Sequence, residues 1–249
     1  MSPTPKPQGT APPRYQRVLL KVSGEAFCAP GGFGIDTAEL ELIAAEVAAA
    51  AKVGAQMAVV VGGGNIIRGA TLAQQGAIEQ ATADQMGMLG TVINGLALKE
   101  QLERLGQPAR VLSALNVTSV AETFIRGRAL RHLEKGRVVI FVAGTGNPFC
   151  TTDSAASLRA AEINADVVLK ATKVDGIYDK DPNQHADAVR FDELTFDEAI
   201  ERQLKIMDIT AFDMCRQHGI PIVVFDMKTP GHIAEVVGGS GHGTLVRVA

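Results

Sequence analysis

Lys21, Arg68 and Lys170 are cations set beside glycine turns or at the end of an apolar run. Lys21 sits in the run Val18–Val22, just before Ser23-Gly24; Arg68 lies four residues past Gly64; Lys170 closes the run Asp166–Lys170. A lysine in a buried strand is costly unless its ammonium reaches an anion. Any one of these residues alone is more often structural, but three at the ends of three strands are better explained by a shared polyphosphate. Three strand ends also run into glycine-rich turns: Val22-Ser23-Gly24, Gly62-Gly63-Gly64-Asn65 and Gly144-Thr145-Gly146. Glycine lets backbone N–H groups approach an anion closely, and a following helix turns its positive end toward it. Tight turns use glycine for geometry alone, so the weight rests on the repetition.

Common alternatives fail on spacing. GxxxxGK[ST] is absent, which excludes a P-loop NTPase, and Ile67 takes the last position of GxGxxG, which disfavours a dinucleotide site. Asp179, Asp181 and Asn183 begin like a calcium loop, but Gln184 replaces the turn glycine and Arg190 the closing glutamate. The five histidines show neither HxxxH nor HExxH, so no metal ligand is assigned.

The elements that must position these residues alternate. Strands are expected at Val18–Val22, Met57–Val61, Arg110–Leu112, Val138–Val142, Asp166–Lys170, Ile222–Phe225 and Thr244–Val248. Helices are expected from Asp36, with Glu39 in a capping-box-like start, to Lys52, and at Thr82–Leu105, Asp153–Asn164, Phe196–Leu204 and Asp208–His218. In the second of these, Leu89, Val92, Ile93 and Leu96 read as one apolar face, while Gly87, Gly90 and Gly95 suggest close approach to a ligand or partner helix. Such alternation, with apolar strands such as VVIFV, predicts an α/β fold: a three-layer sandwich with a mostly parallel central sheet.

In 249 residues, 46% hydrophobic and 20% charged, there is room for a substantial core. No apolar run is long enough to span a bilayer. A net charge of −3, 4% aromatics and no tryptophan argue against a nucleic-acid groove. Cys28, Cys150 and Cys215 are too few and too widely spaced for a disulfide framework, which points to the reducing cytoplasm. Residues 1–13 hold five of the eleven prolines and read as a disordered tail, leaving 14–249 as a single domain.

Lys21-Val-Ser-Gly-Glu25, Gly62-Gly-Gly-Asn65 with Arg68-Gly69, Asp84-Gln-Met-Gly-Met88, the run Thr145 to Asp153 and Lys170-Ala-Thr-Lys-Val-Asp-Gly176 together resemble the bacterial UMP kinases of the amino acid kinase family. The likeness runs in order through about residues 14–248. It implies an amino acid kinase-like sandwich that transfers the ATP γ-phosphate to UMP, in a cytoplasmic homohexamer activated by GTP and inhibited by UTP. By matching motif, Lys21, Val22, Ser23, Gly24, Gly64, Arg68, Thr172, Tyr178 and Asp181 would contact ATP. Gly63, Asp84, Thr145, Gly146, Asn147, Pro148, Phe149, Cys150, Thr151 and Thr152 would hold UMP, with Asp84 on the ribose. Ala29, Pro30, Gly31, Gly32, Phe33 and Gly34 align with the segment associated with GTP.

Phosphoryl transfer between such partners needs cations, aligned dipoles and Mg²⁺ carried with ATP. Lys21 and Arg68 are assigned to the transferred group and Lys170 to the ATP phosphates, with Asp153 and Asp208 orienting the lysines or Mg²⁺-bound water. Asp153 is equally suited to N-cap the helix that follows. A rival such as N-acetylglutamate kinase would need a basic clamp for its carboxylate and has no use for the Thr145–Thr152 run; a silent nucleotide sensor would be marked by loss of Lys21 or Arg68. Cys150 departs from the family, whose members usually carry an aromatic residue there. It reads either as a small apolar packing residue, the commoner fate of a free cysteine, or as a thiol open to reagents when the loop is empty.

Overall fold

Five strands with scarcely a polar side chain line up in parallel at the centre of the molecule, and the charged exceptions among them mark the site. A computed structural model describes residues 13–74 and 76–249. The expected tail, apart from Pro13, lies outside those residues. The strands are β1 (Arg17–Val22), β2 (Gln56–Val61), β3 (Ala109–Ser113), β4 (Glu122–Thr123), β5 (Val138–Val142), β6 (Val167–Thr172), β7 (Ile177–Tyr178), β8 (Arg190–Phe191), β9 (Glu193–Thr195), β10 (Ile222–Asp226) and β11 (Thr244–Arg247). The helices are α1 (Thr37–Lys52), α2 (Gly69–Gln74), α3 (Gln80–Arg104), α4 (Arg126–Glu134), α5 (Thr152–Ile163), α6 (Phe196–Glu201), α7 (Ile209–Gln217) and α8 (His232–Gly238).

The main sheet has nine strands in the order β4-β3-β5-β2-β1-β6-β10-β11-β9. All its pairings are parallel except β10–β11, and β7 and β8 form a separate antiparallel pair. Alternation along β1 sends Val18, Leu20 and Val22 to the layer of α1, α3 and α8, and Leu19 to the layer of α4 to α7. Two apolar clusters therefore lie on opposite faces of the sheet, as expected for a three-layer sandwich. No helix among the described residues is long and apolar enough to cross a membrane.

Several local expectations need correction. The helix expected from Thr82 begins at Gln80. Its presumed apolar face is split: Val92 is buried, whereas Leu89 and Ile93 are 49% and 47% exposed. The inward face instead carries Met88, Thr91, Asn94, Gly95 and Leu98. Gly63 and Gly90 explain this, because a Cβ on Gly63 would come within 2.6 Å of the Gly87 carbonyl. The helix thus crosses the glycine turn backbone to backbone at Gly87 and Gly90. Asp36 does cap α1, accepting from the amides of Ala38 and Glu39, but the reciprocal capping box is at Thr195 and Glu198 on α6. Elements not foreseen are α2, α4, α8, the strands β4 and β7 to β9, and the short 3-10 turn Gly24–Phe27.

Candidate active site

Lys21 and Lys170 become neighbours through strand pairing: they are direct partners in the β1–β6 register. Lys21 shares the face of Leu19 and Lys170 that of Val168, so both point toward the layer containing α5. There Asp153, in the first turn of α5, meets both. Its Oδ1 lies 3.0 Å from the Lys21 ammonium and its Oδ2 accepts from Lys170 at 2.7 Å. The three side chains are only 12–14% exposed, so the charges are screened weakly. Lys170 also donates to the Ile206 carbonyl at 2.6 Å.

Burial pushes the Asp153 carboxyl up, but attraction from Lys21 and Lys170 outweighs it and leaves the group below its ordinary value. Desolvation lowers Lys170, and Lys21 beside it acts in the same direction; Asp153 offsets only part of this. A carboxylate shared by two largely buried ammoniums is a charged centre short of one anion, and a phosphate can supply the second.

The N-cap of α5 is Thr151, whose hydroxyl accepts from the Ser154 amide, not Asp153. Asp153 is therefore free of capping and committed to the lysines. Asp208 touches neither lysine. It caps α7 by accepting from the Ala211 amide at 2.9 Å, and it accepts hydrogen bonds from the hydroxyls of Thr151 and Ser154. The carboxylate thereby ties the N-termini of α5 and α7 together.

Two cavities are lined by chain neighbours of this cluster, Ser23 and Thr172 in one and Thr152 in the other, while Lys21, Asp153, Lys170 and Asp208 line neither. The first, about 310 Å³, is lined by Ser23, Arg68 and Thr172 together with Pro30, Gly31 and Gly32. Thus the segment associated with an activator and three residues associated with ATP share one cavity. Across it Lys173 pairs with Glu25 at 3.0 Å, and the hydrogen bond holds the Glu25 carboxyl below its usual range. Arg68 is exposed and makes no ion pair among the described residues.

The second cavity, about 520 Å³, is lined by Gly63, Gly64, Asp84, Thr145, Phe149, Cys150, Thr151 and Thr152, among others. Gly64 belongs to this cavity rather than to the first. Asp84 bridges α3 to the opposite wall, accepting from the Phe149 amide and from Gln80, each at 2.7 Å. The wall itself is bent sharply: Ala143, Gly144, Gly146 and Phe149 all have positive φ. Gly146, Asn147 and Pro148 lie in that bend without lining the cavity.

Val22, Tyr178 and Asp181 stand apart. Val22 is fully buried, offering only backbone, and its carbonyl accepts from the Gly62 amide. Tyr178 donates to Asp175 at 2.5 Å, and Asp181 is engaged by Asn183 and Gln184 within its own turn. Ala29, Phe33, Tyr178 and Asp181 line neither cavity.

The packing reading of Cys150 is overturned. Cys150 is exposed on the second cavity, while Cys28 and Cys215 are buried. Burial pushes the Cys215 thiol up to about 11. Iodoacetamide at neutral pH is therefore expected to modify Cys150 first, as read by peptide mass spectrometry; earlier labelling of Cys215 would contradict the exposure seen here.

Sequence reasoning missed the residues that hold the walls, chiefly Asn65, Thr91 and Asn94, all buried and hydrogen-bonded. The one signal for Thr91 and Asn94 was a Thr and an Asn at an i, i+3 spacing inside a long helix, where such residues gain nothing from propensity, and Asn65 was read only as part of the glycine turn.

A profile of the amino acid kinase family matches residues 16–226. Uridylate kinase of Xanthomonas campestris pv. campestris (strain ATCC 33913) is 55% identical over 233 residues, which is 94% of this chain and 97% of that protein. Uridylate kinase of Psychrobacter sp. (strain PRwf-1) is 51% identical over 234 residues, with the same coverage of both. Among solved structures, UMP kinase from Bacillus anthracis superposes with a TM-score of 0.90 at 36% identity, covering 94% of this chain and 96% of that one. With β1, β6 and α5 bringing Lys21, Lys170 and Asp153 together on that same fold, the chain belongs to the amino acid kinase family.

Proposed function

We propose that the protein transfers the γ-phosphate of ATP to UMP, giving UDP. The observation that carries this reading is the 520 Å³ cavity, walled by Asp84 and the Thr145–Thr152 run, beside the Lys21–Asp153–Lys170 cluster. A phosphate monoester loses its second proton near pH 6, so UMP arrives as a dianion and needs no general base. The obstacle is charge. Each pair of unit charges about 4 Å apart repels by roughly 4 kcal/mol at an effective dielectric of about 20.

Lys21 and Arg68 neutralise the group in flight, and Lys170 the remaining ATP phosphates, while Asp153 keeps the two ammoniums from repelling each other. Ser23 and Thr172, which line the first cavity, complete the donor side with Gly24. Asp84 and the bend Thr145 to Thr152 hold the ribose and base of UMP. Among the described residues no three His, Cys, Asp or Glu side chains gather into a metal cage. Mg²⁺ would enter as a companion of ATP and would supply charge neutralisation there, while Asp153 and Asp208 would orient the lysines or its bound water.

Regulation follows the same reading, with GTP as activator acting through Ala29–Gly34 and UTP as inhibitor on the UMP side. The enzyme works in the cytoplasm, within pyrimidine nucleotide synthesis, as a homohexamer. The exposed Leu89 and Ile93 on the outer face of α3 suit contact with a second copy. Light scattering is expected to give about six times the chain mass of 26.2 kDa, and a stable particle of one chain mass would refute the assembly.

A coupled assay of ATP consumption across UMP, CMP, dUMP and N-acetylglutamate tests the reaction. UMP is expected to turn over fastest; quicker use of CMP or N-acetylglutamate would overturn the assignment. Slow inactivation by alkylation at Cys150 is expected to be retarded by UMP more than by ATP.

A further inference from the structure

Helix α3 carries two polar side chains one turn apart whose partners lie on different walls of the second cavity. Thr91 and Asn94 are both buried. The Thr91 hydroxyl donates to the Met88 carbonyl and accepts from the Ala143 amide, each at 2.6 Å. Ala143 opens the bent wall and sits at φ 61°, a conformation that residues other than glycine rarely adopt. Asn94 reaches the other wall. Its amide nitrogen donates to the Gly62 carbonyl at 2.7 Å and to Asn65 Oδ1 at 2.6 Å. Asn65 answers by donating to Asn94 Oδ1 at 3.1 Å and to the Gly34 carbonyl at 2.7 Å.

Every amide hydrogen of the Asn65–Asn94 pair is thus used, and the pair joins α3, the glycine turn and the 29–34 segment. With the carbonyls of Gly62 and Gly63 both engaged, the amides of Gly63 and Gly64 keep no partner among the described residues, at the edge of the cavity. Such a pair of free N–H groups suits an anion. An apolar pair of the same shape would leave the Gly62 and Gly34 carbonyls without these donors, so the two side chains are tied to the backbone of both segments. What the polar atoms add is a fixed orientation of two turns relative to one rigid helix.

We propose that Thr91 and Asn94 are positioning residues for phosphoryl transfer: α3 sets the bent wall through Thr91 and the glycine turn through Asn94, and so fixes the separation of acceptor and transferred group. The proposal rests on the phosphoryl-transfer reading above. It deepens that reading by assigning the two walls different kinetic roles. Thr91 governs acceptor binding. Asn94, with Asn65, governs the transfer step.

The test uses the full chain with whichever acceptor it turns over fastest, so a wrong identity for the acceptor is detected separately by the substrate panel. Thr91→Val, which keeps shape and removes the acceptor of the Ala143 N–H, is expected to raise the acceptor KM by roughly tenfold, about the worth of one buried hydrogen bond, with the ATP KM within about twofold. Thr91→Ser, which keeps the hydroxyl, is expected to restore it. Asn94→Leu is expected to lower kcat by about 100-fold, as for a displacement of about 1 Å at a reacting centre. The double variant Asn65→Leu/Asn94→Leu should be no worse than Asn94→Leu, because the pair acts as a unit. The proposal is overturned if Thr91→Val and Asn94→Leu lower Tm while leaving kcat and both KM values within about twofold. It is equally overturned if Thr91→Ser fails to restore the acceptor KM.

Discussion

Asp153→Asn is expected to cost the protein both activity and stability. The substitution leaves the ammoniums of Lys21 and Lys170, now adjacent strand partners without a shared counter-ion, in a site that is 12–14% exposed. Breaking a buried ion pair by removing one partner costs about 3–5 kcal/mol, and the lower end applies because some solvent remains. For a domain of this size, about 3 kcal/mol lowers Tm by roughly 6–12 °C. Activity should fall by at least about 100-fold, since the lysines repel each other away from the positions where phosphates need them.

The stability difference also has a defined pH course. The folded carboxyl titrates below its unfolded value of about 3.9, so its contribution is complete above that value and vanishes as pH falls through the folded one. The Tm gap between the unaltered protein and Asp153→Asn is expected to hold steady from pH 7 to about 5 and to close below about 4. Lys170, already lowered by burial, loses its offsetting carboxylate in the variant. The alkaline limb of kcat should consequently move to lower pH. Equal Tm values for the two proteins at pH 7, measured by calorimetry, would show that other groups hold the ammoniums apart.

Arg68→Ala is expected to separate the two effects. Arg68 is exposed and has no ion pair among the described residues, so the fold gains little from its guanidinium. Tm should stay within about 2 °C, as for surface substitutions away from special features. If Arg68 meets charge that builds up during transfer, kcat should fall by roughly 10²–10³, the loss seen when one preorganised donor to a developing charge is removed. ATP binding, followed by calorimetry without an acceptor, should change far less than kcat. A variant whose kcat survives within about threefold while Tm drops would assign Arg68 to structure.

Of the strands that sequence reasoning captured, β1, β2, β5, β6 and β10 are the central ones buried on both faces, where a nearly continuous apolar run leaves little ambiguity, and β3 and β11, also expected, flank them. The misses cluster where that signal fades. Helix α4 reads Arg-Gly-Arg-Ala-Leu-Arg-His-Leu-Glu, with only Ala129, His132 and Leu133 buried, so charge hides its narrow apolar stripe. Helix α8 is flanked by glycines on both sides, and β7 and β8 are two residues each. For α3 the expected face is half right: Val92 is buried and Leu96 packs against the core, while Leu89 and Ile93 are exposed. Glycines at the crossing admit the helix so closely that polar Thr91 and Asn94 find backbone partners, whereas Leu89 and Ile93 turn outward.

The cations of the site were legible individually, because a lysine in an apolar strand demands an anion. Their common partner was not. That Asp153 serves both lysines depends on the β1–β6 register, a pairing between segments far apart in the chain that local pattern does not encode. Nor could spacing say that Asp208 would tie two helix ends instead of meeting a lysine.

The position of β1 between β2 and β6 has a consequence for a chain emerging from the ribosome. Strands β1 to β5 can assemble into half a sheet before β6 has been made, which leaves Val18–Val22 as a bare apolar edge. At synthesis rates of about 5–20 residues per second, the wait for Thr172 after Val142 lasts a few seconds. An unpaired edge of that kind invites association with neighbouring nascent chains, and a charged side chain in its midst is a recognised deterrent. Lys21 is the one ionised group between Val18 and Val22. In the finished protein it meets Asp153, and on a half-made sheet the same ammonium would stand on that edge until Lys170 arrives beside it.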